Sequence, residues 1–92
     1  MLSQLATLED AETNRHIQFS VQYGIENSDV RILGVTPTKV SFVCPTTNTL
    51  TRSMGVHTDA GRRLLSDRLR KSGRVEAIRQ ELVARQAKLV IA

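Results

Sequence analysis

The clearest pattern in the chain is the alternation over residues 16 to 23. Ile17, Phe19, Val21 and Tyr23 face one way and His16, Gln18, Ser20 and Gln22 the other, which predicts a half-buried β-strand. "GIENSD" then supplies turn residues, and "DVRILGV" predicts a second strand. "TPTK" reads as a turn whose backbone Pro37 fixes, and "KVSFVC" as a third, more apolar strand ended by Pro45. After "TTNT", the run "LTRSMGVH" sets Leu50, Arg52, Met54 and Val56 against Thr51, Ser53, Gly55 and His57. Short strands between near-regular turns predict an antiparallel meander over residues 15–57. Ahead of it, Leu2, Leu5 and Leu8 fall at helical spacing, which predicts a short N-terminal helix. Glu9, Asp10 and Glu12 follow; they offer paired carboxylates, but at a chain terminus they read as solvated charge.

At Thr58 the period changes. "TDAGRRLL" opens with an N-cap residue and an acid in the first turn, and "SG" at 72 and 73 stops that helix after basic residues. A second helix, "RVEAIRQELVARQAKLV", carries Val75, Ile78, Leu82 and Leu89 on a stripe that Arg85 interrupts, with Glu76–Gln80 and Glu81–Arg85 as outer pairs. Residues 58–92 thus form a helical hairpin. The predicted class is α+β: a four- to five-stranded antiparallel sheet followed by two C-terminal helices, in one domain spanning 1–92.

Length supports that count, since 92 residues are too few for two independent cores. Two Phe, one Tyr and no Trp leave most core packing to aliphatic side chains. Cys44 is the only cysteine, so no internal disulfide forms; within its apolar run it reads as a small buried hydrophobe in a reducing, cytoplasmic protein. No apolar run reaches membrane-spanning length, and "MLSQLATLED" lacks the basic and apolar regions of a signal peptide, so no membrane association is expected.

Catalytic constellations are not apparent. The glycines lie too far apart for a phosphate loop, and one cysteine with two distant histidines gives no zinc spacing. Cys44 and His57 offer a nucleophile and a base, but a thiol buried in a strand lacks the accessible, electropositive setting that catalysis needs. A non-enzymatic protein without cofactor or metal is the expectation.

Charge points instead to binding. Residues 59–74, "DAGRRLLSDRLRKSGR", hold six basic and two acidic residues, and their net +4 equals that of the whole chain. On a helical wheel Leu65 and Leu69 form the apolar stripe with Leu64 at its border. Arg63, Arg70 and Arg74 lie almost opposite as a ridge that Asp67 divides, while Arg62 and Arg68 flank the stripe with their heads in solvent. Three readings stand: a solvated face, docking of an acidic protein, and nucleic-acid binding. The divided ridge and the placement of Phe19 and Tyr23 on the apolar face disfavour groove insertion and base stacking. Ten Arg against three Lys favour bidentate, geometry-specific contacts. The apolar tail "LVIA" adds a homo-oligomer as a further possibility.

The runs "TKVSFVC" and "TRSMGVHTDAGRRLLSDRLRK" resemble the cyanobacterial PII-interacting co-activator (PipX) family over roughly residues 37–71. The shared positions are Lys39, Val40, Phe42 and Val43, then Arg52, then Arg62, Leu64, Leu65, Arg68, Leu69 and Arg70. The resemblance implies a Tudor- or SH3-like sheet followed by two helices, and a transcription co-activator-like adaptor in nitrogen signalling. Its sheet would dock a PII-like protein or a transcription regulator, with Lys39 and the matching helix arginines (Arg62, Arg68, Arg70) in contact; Arg52, Arg63 and Arg74 complete the expected partner-binding set as the basic residues around them. The family's opening motif has no counterpart in "MLSQLATLEDAETNRH", and Thr36 stands where the family usually has a sheet-surface tyrosine.

Overall fold

Three asparagines shape the sheet. Asn14, Asn27 and Asn48 each take a left-handed backbone conformation with φ near +50° and sit at successive chain reversals, a geometry that Asn tolerates better than other side-chain-bearing residues. They separate four strands in a computed structural model that describes residues 1–27 and 29–91, with side-chain surroundings through Gln86. The strands are β1 (Leu2–Asp10), β2 (Arg15–Glu26), β3 (Asp29–Cys44) and β4 (Thr49–Gly55), followed by α1 (Asp59–Lys71) and α2 (Arg74–Ile91). All neighbours are antiparallel in the order β1-β2-β3-β4, a meander curled into a half-barrel with both helices after it.

Two sequence expectations need correction here. Residues 2–10 form a strand, not a helix, with Leu2 opposite Tyr23, Leu8 opposite Ile17 and Asp10 opposite Arg15. In the strand, Leu2 and Leu8 fall on the helix-facing side of the sheet, while Leu5 is exposed on the other. Leucines three apart fit a helix, but an exposed hairpin partner overrides that local spacing. The second correction is that "TPTK" does not turn. β3 runs unbroken through it, and register shifts between Gln18 and Phe19 and between Gln22 and Tyr23 absorb the irregularity as bulges. Pro37 is accommodated because it stands opposite Phe19 beyond the end of β4, where a missing ladder donor costs little.

The inner face of the sheet builds the core with the helices. Ile17, Phe19 and Val21 of β2 are wholly buried, and Val30 and Val40 of β3 join Leu65, Leu69, Val75, Ile78 and Leu82 of the helices. The alternation of β2 and the helical stripes through Leu82 were therefore legible from hydrophobic period; the antiparallel order of the meander was too, but not its strand bounds. Leu89 and the "LVIA" tail lie outside the described side chains.

The helix ends follow their caps. Thr58 is extended and its Oγ1 accepts the Gly61 amide at 3.0 Å, with Asp59 in the first turn. Ser72 caps the C-terminus, its amide donating to the Arg68 carbonyl, and Gly73 follows at φ +82°. Arg74 therefore begins α2. It does not continue the α1 wheel, which removes it from the expected ridge.

Candidate protein-docking groove

One end of α1 is pinned to the sheet by a buried carboxylate. Asp10, at the end of β1, is 5% exposed and accepts Arg68 Nε at 2.8 Å and Nη2 at 2.7 Å on its two oxygens. Thr13 Oγ1 donates to Asp10 Oδ2 at 2.8 Å, and Arg68 Nη2 also reaches Glu12 at 2.8 Å. The hydrogen bonds from Arg68 hold the Asp10 carboxyl well below the ordinary carboxylate range, against the opposing effect of burial; Asp10 and Glu12 in turn raise Arg68. The expectation that Asp10 is solvated charge and that the Arg68 head reaches bulk water is thus overturned. A fork of two parallel hydrogen bonds offsets the cost of taking this pair out of water.

Beyond Asp10 the register carries a row across the inner face: Asp10 pairs with Arg15, Arg15 with Phe42, and Phe42 with Arg52. Met54 pairs with Val40 and so lies on the same face, two positions from Arg52. β4 stays largely uncovered there, because α1 packs mainly on β3. An open groove of about 340 Å³ results, lined by Val40, Phe42 and Met54 on the sheet, Leu65 on α1, and Arg15 and His57 at its margins. Phe42 is 38% and Met54 46% exposed. Leu64, 73% exposed, lies on the helix flank between Gly61 and Arg68. The His57 ring folds back over Gly55, where an added Cβ would meet Nε2 at 2.8 Å and displace the exposed imidazole.

Arg15 donates Nε to Thr13 Oγ1 at 2.9 Å. Neither Arg15 nor Arg52 has an ion-pair partner among the described residues. The groove thus has an apolar floor and, in the row beside it, two arginines free of described ion pairs. At about 340 Å³ it is near the lower limit of pockets that enclose small molecules, suited to one or two side chains.

The remaining residues expected at the site scatter. Lys39 pairs with Gln18 and Gly55, which places it on the outer sheet face with Ser41 and away from the groove. Arg62 contacts exposed Asp59 at 3.5 Å. Arg63 and Arg70 are exposed on α1, and no described ion pair links either of them to Asp67. Arg70 instead borders a second hollow with Arg31 and Arg79, where Glu76 and Asp29 engage Arg79. Arg74 is half-buried, its Nε donating to the Thr7 carbonyl at 3.3 Å. Of the expected set, only Arg52 stands beside the groove; Arg68 and Arg74 hold the helices to β1. Sequence reasoning missed Arg15, Phe42 and Met54 as a group. The β4 alternation did carry part of that signal, but a bulge at Thr51 pairs Leu50 with Val43 and takes it off the Met54 face.

Cys44 also departs from expectation. It is half-buried at the end of β3, and the Thr47 hydroxyl with the Thr47 and Thr46 amides lowers its thiol to about 7. His57 does not partner it: Cys44 pairs with Thr49, whereas His57 follows Gly55, opposite Lys39. Lys39 and Cys44 are about 17 Å apart along β3, so Cys44 and His57 stand at opposite ends of the β3–β4 pair. His16 stands on the outer face between Glu9 and Ser41. No group of three or more metal-ligating side chains occurs among the described residues, and no described helix is long and apolar enough to cross a membrane. A scan against protein-family models and searches of curated proteins and of solved structures find no match to this chain.

Proposed function

We propose that this chain is a small, non-enzymatic regulatory adaptor that binds an acidic protein partner where the open side of its sheet meets α1. The observation that carries this reading is the Phe42–Met54 groove, an exposed apolar floor beside Arg15 and Arg52, neither of which makes an ion pair among the described residues. Apolar anchors beside geometry-specific arginines are what protein interfaces favour. The resemblance of residues 37–71 to the PII-interacting co-activators agrees in kind: it implies a transcription co-activator-like role, with a PII-like protein or a transcription regulator as partner. A cytoplasmic setting fits a chain whose single cysteine is a free thiol.

The test is affinity capture from native extract before and after nuclease treatment, using the wild-type chain and Met54→Glu. The expected result is a protein captured in both extracts and lost with Met54→Glu. Loss of every partner after nuclease treatment would reject the adaptor. It would favour the second reading, nucleic-acid binding, which the Arg31–Arg70–Arg79 hollow motivates and which requires affinity that falls steeply with salt.

A further inference from the structure

The two edges of the sheet are treated differently. β1 is guarded: Arg74 donates to its Thr7 carbonyl, and Arg68 locks its last residue. β4 is the other edge, and among the described residues nothing is hydrogen-bonded to its outer side. The Val56 amide donates to the Thr38 carbonyl at 3.2 Å, toward β3. Alternation along the strand then turns the amides of Ser53 and Gly55 away from β3, into the open edge. Unpaired backbone donors beside an apolar groove are the arrangement that accepts an added strand.

We propose that β4 receives an extended segment of the partner protein by strand addition, and that the segment carries an acidic and an apolar residue two positions apart. This rests on the adaptor reading and specifies its partner. Arg52 and Met54 share the inner face. On a strand laid beside β4, the residue opposite Met54 enters the Phe42–Met54 groove. The residue two positions away, opposite Arg52, meets that guanidinium with Arg15 further along the same row. One face of the added strand therefore presents an acid and an apolar side chain at a spacing of two.

Charge also selects among occupants. A second copy of this chain pairing β4 to β4 about a twofold axis through the strand midpoint would set Arg52 against Arg52, since Arg52 is the middle residue of Thr49–Gly55. Like charges directly opposite destabilise a strand pair, and both copies carry +4. An acidic segment of another protein meets no such repulsion.

The experiment titrates the whole chain with labelled decapeptides of threonine containing one Glu and one Leu. In the first peptide these stand two positions apart. In the second they are adjacent, on opposite strand faces, and in the third Lys replaces Glu. Binding of the first peptide at least tenfold tighter than the others is expected, with slowed hydrogen exchange at the Ser53 and Gly55 amides. Ser53→Pro removes an outward donor while leaving the backbone ladder to β3, and should abolish this binding, whereas Ser53→Ala, which loses only the hydroxyl contact to Ser41, should keep it. Arg52→Glu should invert the preference toward the Lys peptide, a gain that a misfolded chain cannot show. If the first peptide binds, loses affinity with Met54→Glu, yet ignores Ser53→Pro and leaves both amides unprotected, strand addition is wrong while the adaptor reading stands. Equal binding of all three peptides, no binding of any, or tighter binding of a ten-nucleotide single strand would overturn the inference.

Discussion

Replacing Asp10 by Asn keeps the shape of the side chain and removes its charge, so it isolates what the buried pair contributes. Of the two charge-assisted hydrogen bonds of 2.8 and 2.7 Å, one is lost because the amide nitrogen cannot accept from the guanidinium and the other is weakened, while the Thr13 hydroxyl can still donate to the amide oxygen. Hydrogen bonds to charged groups contribute about 1.5–3 kcal/mol in mutational series. Asp10 is nearly inaccessible, but the Arg68 side chain is 33% exposed and keeps Glu12, so the loss belongs toward the lower part of that range, about 2 kcal/mol. For a domain of this size that lowers Tm by about 8–16 °C. The pH dependence has a definite sign. The folded carboxyl titrates below its unfolded value, so its stabilisation is fully present above the unfolded pKa and is lost as pH falls through the folded one. Wild type should therefore lose stability from about pH 5 downward. Asp10→Asn should lack most of that slope, leaving the small contribution of the exposed Glu76–Arg79 pair, in which Glu76 is lowered in the same direction. The assay is urea unfolding at a series of pH values between 2.5 and 7. Parallel wild-type and variant curves, or a difference at pH 7 below about 0.5 kcal/mol, would refute the claim that this pair pins α1 to β1.

Gly73→Ala should destabilise by about 1–2 kcal/mol through its positive φ alone, since nothing lies within 4 Å of the added methyl, and Gly73→Asn by less; thermal unfolding reads both. Leu69→Ala empties a wholly buried site between α1 and the sheet and should cost about 2–5 kcal/mol, measured as a fall in urea midpoint at constant m-value. The Cys44 thiol should alkylate with a half-maximal rate near pH 7, and Thr47→Val should move that midpoint upward; an unmoved midpoint would show that the hydroxyl does not stabilise the thiolate.

What the sequence conveyed and what it concealed divide along a physical line. Ile17, Phe19 and Val21 were legible because a half-buried strand writes its burial as a period of two, and Leu65 and Leu69 because a core helix writes its own every three to four residues. Thr58 and Gly73 were legible because caps are local chemistry. β1 was not, since three leucines at helical spacing are also compatible with two inward and one outward on a strand; Asn14, matching Asn27 and Asn48, was the local sign of a hairpin there. Pro37 concealed the continuity of β3, because a bulge beyond the end of the neighbouring strand accommodates a residue that normally breaks one. The Asp10–Arg68 pair spans 58 positions, and no local rule reports it. It determined much of the outcome for the basic stretch. Arg68 and Arg74, two of six basic residues that looked like available charge, are committed to β1.

That commitment also explains where the open surface lies. α1 is held near its start by the Thr58 cap and near its end by Arg68, which reaches across to the β1 edge. A helix anchored to β1 and packed over β3 has no reach left for β4, so Phe42 and Met54 stay exposed beside it. The groove is therefore formed before any partner arrives, and its affinity should depend on the latch only through the fraction of chains in which α1 stays docked. With a conformational gap of a few kcal/mol, losing about 2 of them leaves most chains competent. Asp10→Asn should accordingly weaken binding of the Glu–Leu peptide by less than about threefold, while Met54→Glu abolishes it without a comparable loss of stability. A tenfold loss of affinity in Asp10→Asn at a temperature where it remains folded would mean that α1 moves to admit the partner, and that the latch is part of the binding site.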